Sequence, residues 1–174
     1  MRRLGVLFIF WAICAIGAIA PGSARAANNH ASGGGTYLVE PGILSEFQFT
    51  ESRVQCKVGH AVMGDGTVFQ MWMFSTHVGS VAINGADHSV VIHGTMVSMV
   101  TLNFPNGSKA NLSETVPFTA HGRDNGNPGA GVDFFSLTVT YTPTSGLDQS
   151  DLFGAVATFA PFSGSIATGN VIVN

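Results

Sequence analysis

Phe135, Leu137, Val139 and Tyr141 alternate with Ser136, Thr138 and Thr140. A period of two belongs to an extended chain, so this run predicts a strand with one buried and one wetted face. The alternation recurs in Glu46-Phe47-Gln48-Phe49-Thr50 and in Phe153, Ala155, Ala157 and Phe159. Past residue 35 no stretch sustains a helical period, and Gly, Asn, Asp and Pro punctuate the runs. Eight to ten short strands at roughly 8–12-residue spacing predict an all-β fold, an antiparallel β-sandwich with a jelly roll as one arrangement.

Val68 to Phe74 is apolar on both faces apart from Gln70, the pattern of a central strand covered on each side. Trp72 lies inside that run and is expected in the core, as are Tyr37 and Tyr141 in theirs. Val81–Ile83 reads as a short strand before a turn at Asn84-Gly85, and Ser89–Ile92 and Met96–Leu102 read as strands divided near Gly94. Asn106-Gly107 between apolar runs predicts a hairpin with a type I′ turn. Val171–Val173 closes the chain, and the first and last strands are expected to pair. One domain over 36–174 accounts for all of this, without internal repeats.

The N-terminus reads as an export signal. Arg2-Arg3 precede an uninterrupted apolar run of 17 residues, Leu4–Ala20. Pro21-Gly22 then break the helix, and Ala24-Arg25-Ala26 is a small-x-small cleavage site. Cleavage after residue 26 leaves 148 residues, of which 27–35 read as a flexible, glycine-rich lead-in. The expected product is secreted or periplasmic, with no membrane segment after cleavage.

That product has four basic and ten acidic side chains, a formal charge of −6. Such a balance excludes a basic nucleic-acid-binding surface. The chain's 45% hydrophobic content, with only 10% charged residues, excludes disorder. Cys14 leaves with the signal, so Cys56 stands alone and no internal disulfide can form. Its parity with Val54 and Val58 makes it a small buried hydrophobe.

Several segments together resemble one family. They are Gly33-Gly34-Gly35-Thr36, Glu46-Phe47-Gln48-Phe49, Val91-Ile92-His93-Gly94-Thr95, Asp124-Asn125-Gly126-Asn127-Pro128-Gly129 followed by Asp133-Phe134, Gly164-Ser165-Ile166 and Gly169-Asn170-Val171. In this order, over roughly 33–173, they resemble the post-COAP-1 domain, a small all-β module of secreted bacterial proteins. The resemblance implies fold, compartment and a bacterial origin, and no catalytic residue. Such modules are often embedded in longer surface proteins, whereas this one would stand alone.

The candidate sites follow from residue chemistry. Asp124, Asn125, Asn127 and Asp133 place four oxygen-bearing side chains within ten residues of a glycine-rich loop. Calcium takes six to eight oxygen ligands, many of them carbonyls, so this loop is a candidate calcium site, though its spacing is not that of an EF-hand. The competing reading makes Asp133, at the head of the apolar face of Phe135–Tyr141, a structural carboxylate accepting backbone N–H groups. Six histidines, His30, His60, His77, His88, His93 and His121, show no His-x-His pair and no HExxH, and no G-x-S-x-G elbow is present. The expected function is a non-catalytic extracellular module that binds a ligand or surface component, or serves structurally. Its alternatives are a calcium-stabilised adhesion or carbohydrate-binding module and a hydrolase using converged His and Asp residues. Stacking of a sugar would require Trp72 to be exposed.

Overall fold

The computed structural model describes residues 29–40, 43–126, 128–159 and 166–174. The expected signal peptide, the first two residues of the lead-in, Asn127 and Gly164-Ser165 lie outside the described residues, as do the side chains of 37–40 and Phe159. Among the described residues there are nine strands and one short helix: β1 (Ala31–Glu40), β2 (Ile43–Thr50), β3 (Arg53–Val62), β4 (Val68–Asn84), β5 (Ser89–Asn103), β6 (Lys109–Arg123), β7 (Phe134–Thr140), α1 (Gln149–Phe153), β8 (Val156–Phe159) and β9 (Thr168–Val173). The fold is all-β. The strands form one antiparallel sheet in the order β8-β7-β6-β5-β4-β3-β2-β1-β9. This is a meander with a single return, β9 onto β1, and the described strands lack the Greek-key crossovers of a jelly roll.

The sheet curls so that one face becomes the core. Phe47 and Phe49 of β2 stack on Phe135 of β7 with ring centroids 4.2 and 5.6 Å apart, joining strands five places apart in the sheet. Around them pack Val54, Cys56, Met71, Met73, Ile92, Met96, Leu137 and Tyr141, all buried. Cys56 therefore faces inward with Val54 and Val58, as its parity predicts. At the far end of the core, Ser98 Oγ donates to Gln149 Oε1, and Gln149 Nε2 donates to the Ser98 carbonyl, docking α1 through a satisfied buried network.

Several expectations change. The lead-in enters the sheet from Ala31, because Gly33 and Gly35 let β1 lie close to its neighbours: a Cβ on Gly33 would sit 2.5 Å from the Phe49 ring, and one on Gly35 2.0 Å from the Thr168 carbonyl oxygen. β1 pairs with β9, Ala31 opposite Val173, so the two ends of the domain are tied together as expected. The runs 68–74 and 81–83 are one strand, β4, with register shifts between Ser75 and His77 and between Val78 and Ser80. Each bulge adds a residue and restores the inward phase, so Met71, Met73, Val78, Val81 and Ile83 share the inner face. β5 likewise runs unbroken through Gly94, whose missing side chain accommodates the first bulge: a Cβ there would lie 2.1 Å from the His77 carbonyl oxygen.

The β5–β6 hairpin forms at Asn106-Gly107 but not as a type I′ turn. Only Gly107 has positive φ (83°); Gly107 N–H donates to the Phe104 carbonyl and Phe104 N–H to that of Ser108. This is a type I turn completed by a left-handed glycine bulge. The β3–β4 hairpin repeats it with Gly66 at φ 85°, Gly66 N–H donating to Met63 and Met63 N–H to Thr67.

Candidate functional site

β4 is not covered on both faces. Trp72 is 51% exposed on the outer face of the sheet, and Phe74 lies beside it with ring centroids 5.3 Å apart. The expectation that Trp72 packs in the core is thus overturned. Odd positions of this stretch, Met71 and Met73, take the inner face, and nothing among the described residues layers over the outer one.

Register shows what surrounds the two rings. Glu46, Lys57, Trp72, Met99 and Ser113 stand opposite one another across β2 to β6. The adjacent row runs Gly34, Gln48, Gln55, Phe74, Val97 and Thr115. Gln55 Nε2 donates to Gln48 Oε1 at 2.8 Å, and on the other side of Trp72 Gln70 Nε2 contacts His60 Nε2 at 3.0 Å. Thr101 Oγ1 donates to Asn111 Oδ1 farther along. The site is an aromatic platform bordered by Met99 and Val97 on β5 and by amides and a charged pair on β2 and β3, where Glu46 and Lys57 oppose each other and cancel in charge. It opens toward β1 into a groove of about 640 Å³ lined by Gly34, Gln48, Gln55, Lys57, Asn170 and Ile172 among others.

The loop from Asp124 to Asp133 does different work. β9 is one edge of the sheet, and this loop packs against it through Asp133. Asp133, fully buried, accepts Asn125 N–H at Oδ1 (2.8 Å) and Val171 N–H at Oδ2 (2.7 Å). Ile166 N–H donates to the Asp133 carbonyl and Gly131 N–H to that of Ile166. His88, held at φ 52° in the β4–β5 turn, brings Nδ1 within 3.3 Å of the Val173 carbonyl. These contacts seam β9 to the opposite side of the curl. Asp124 Oδ1 accepts Gly126 N–H, and Asn125 Nδ2 donates to the Val132 carbonyl. Asp124, Asn125 and Asp133 are therefore brought into one loop, with these polar atoms engaged by backbone. A Cβ on Gly129 would fall 2.0 Å from Asp133 Oδ2 and 2.2 Å from Asn170 Oδ1, an oxygen buried without a hydrogen-bond donor among the described residues.

The histidines are dispersed. His30 Nδ1 lies 3.0 Å from Glu51 Oε1, and His93 Nδ1 2.9 Å from Thr119 Oγ1. His77 is exposed at the first bulge. His121 packs edge-on to Phe134, and burial lowers its pKa, opposed in part by the nearby Asp87. Among the described residues no three His, Cys, Asp or Glu side chains gather as a metal-binding group. Compared with known proteins, the chain matches no family model, no curated protein and no solved structure.

Proposed function

We propose that this is an exported, non-catalytic binding module whose ligand is a neutral carbohydrate, held on the outer face at Trp72. The observation that carries the reading is Trp72 itself, half exposed and flanked by Phe74, on a face where Met99 and Lys57 stand opposite it and the Gln48–Gln55 amides lie in the next row. A sugar ring offers an apolar face to an indole and a rim of hydroxyls to just such neighbours. In this reading the curled sheet acts as a flattened, sandwich-like body, with β2 and β7 facing each other through the Phe47–Phe135 stack. The resemblance to post-COAP-1 modules is most specific in Asp124–Phe134, the segment that forms the seam, so it bears on the scaffold and leaves the ligand to the outer face.

A panel of cellulose, xylan, mannan and chitin tests this. Binding to at least one is expected, with a blue shift of Trp72 emission, and Trp72→Ala should weaken it by about 30-fold, the scale of losing a ~2 kcal/mol aromatic anchor. Unchanged emission with all four, or equal binding by Trp72→Ala, would overturn the reading. A calcium-stabilised form of the module is the second reading, favoured by one observation: Asn170 Oδ1 is buried beside the Asp133 carboxylate without a donor among the described residues. A half-turn of the Asn170 amide would supply Asp133 with a donor instead, and a melting experiment with calcium and chelator separates the two.

A further inference from the structure

Three glycines stand in a row in β1, and the fold explains only two. Gly33 and Gly35 point inward, where a side chain would collide with the Phe49 ring and with the β9 backbone. Gly34 points outward. A Cβ there would meet nothing closer than the Phe47 carbonyl oxygen at 3.5 Å, an ordinary contact, and φ at Gly34 is not in the left-handed region. A glycine inside a strand weakens it and leaves backbone bare, and such a position often marks where a ligand comes close. Gly34 floors the groove of about 640 Å³ that leads across Gln48 and Gln55 to Phe74, in register on four consecutive strands.

Resting on the carbohydrate reading above, we propose that the ligand is an extended neutral polysaccharide lying across the strands, with one sugar on the bare backbone of Gly34 and another on the Trp72–Phe74 platform. Three strand spacings of about 4.8 Å separate Gly34 from Phe74, so the bound segment spans ~3–4 sugar rings at one ring per strand. The charge fits a neutral chain: Glu46 and Lys57, the charged groups lining the groove, stand opposite each other. The Gln48–Gln55 amide pair lies between the two ends, placed to hydrogen-bond hydroxyls of the intervening rings.

The test compares hexamers and dimers of the four polysaccharides against the parent protein, Gly34→Leu and Trp72→Ala. The parent should bind its preferred hexamer at least 10-fold more tightly than the dimer. Gly34→Leu, whose Cβ makes only ordinary contacts, should lose that advantage while binding the dimer as the parent does and melting no lower than it. If Gly34→Leu binds the hexamer undiminished, or if parent hexamer and dimer bind alike, the extended site is refuted while the Trp72 platform stands. If Trp72→Ala binds as the parent does, or no hexamer binds, both readings fall together. Should Gly34→Leu unfold, the double variant Gln48→Ala/Gln55→Ala replaces it, with the same loss of the hexamer advantage expected and retention of it refuting the proposal.

Discussion

Asp133→Ala removes the acceptor that joins both sides of the seam. The parent carboxylate takes two backbone N–H groups at 2.8 and 2.7 Å while fully buried. Hydrogen bonds to a charged group contribute about 1.5–3 kcal/mol each, giving a gross loss of ~3–6 kcal/mol. Asn125 is exposed, so its N–H regains water in the variant and the loss moves toward the lower end, ~3 kcal/mol. Against a total stability of roughly 5–15 kcal/mol this is a large fraction. Urea unfolding should show the midpoint falling at constant slope, and the Val171 amide should lose protection from hydrogen exchange. Asp133→Asn keeps one acceptor and sets its NH2 against the other N–H, so it should fall between parent and Ala. A loss below ~1 kcal/mol with Val171 still protected would refute the seam. The same samples melted with calcium and then with chelator should give identical curves for the parent. A calcium-dependent rise abolished in Asp133→Ala would instead make the loop a metal site, since a ligand at 100 times its Kd stabilises by about 2.7 kcal/mol.

Two further outcomes follow from the core. Gly94→Ala places a methyl 2.1 Å from the His77 carbonyl and 2.9 Å from the Phe118 ring, so thermal unfolding should show a loss of about 1–3 kcal/mol or more; a neutral result would mean the β4 bulge relaxes freely. Burial pushes the Tyr141 hydroxyl up from 10.0 to about 12, with the Ser98 hydrogen bond opposing. Its contribution is complete below pH 10 and is lost as pH rises toward 12, a change of about 2–3 kcal/mol that Tyr141→Phe should abolish. Equal pH dependence in parent and variant would refute that assignment.

The inner face was legible because alternation reports it directly: Phe135, Leu137, Val139 and Tyr141 are buried as their spacing predicts. Strand continuity was not. In β4 the inward phase shifts from Ser75 to Val78 and again to Val81, and a strict period of two reads each shift as a break. Gly94 looked like a divider for a related reason. Its glycine answers a bulge on the neighbouring strand, and that partner lies 17 positions away, opposite it only in the folded sheet. Likewise Asp133 was recognisable as a buried carboxylate needing donors, but Val171 as one of those donors depended on the curl.

Trp72 was misread because a strand covered on both sides and a strand with an apolar outer face have the same composition. What separates them is the company each outer residue keeps, and that company comes from other strands. Lys57, Glu46, Gln55 and Gln48 are scattered polar residues in sequence; register gathers them around the two rings. A half-exposed Trp72 beside the part-buried Phe74 presents surface that a scaffold alone would be better without, since apolar patches on an edge-bearing sheet promote association. The amides and charged pair on one side of the rings, with Met99 and Val97 on the other, argue for a ligand that needs both kinds of surface at once. The bare backbone of Gly34 supplies the independent sign, because packing requires glycine on either side of it and not there. Two positions three strands apart thus depart from what stability alone would choose, in opposite senses: one adds apolar bulk to an open face, the other removes a side chain from it. A ligand lying between them accounts for both.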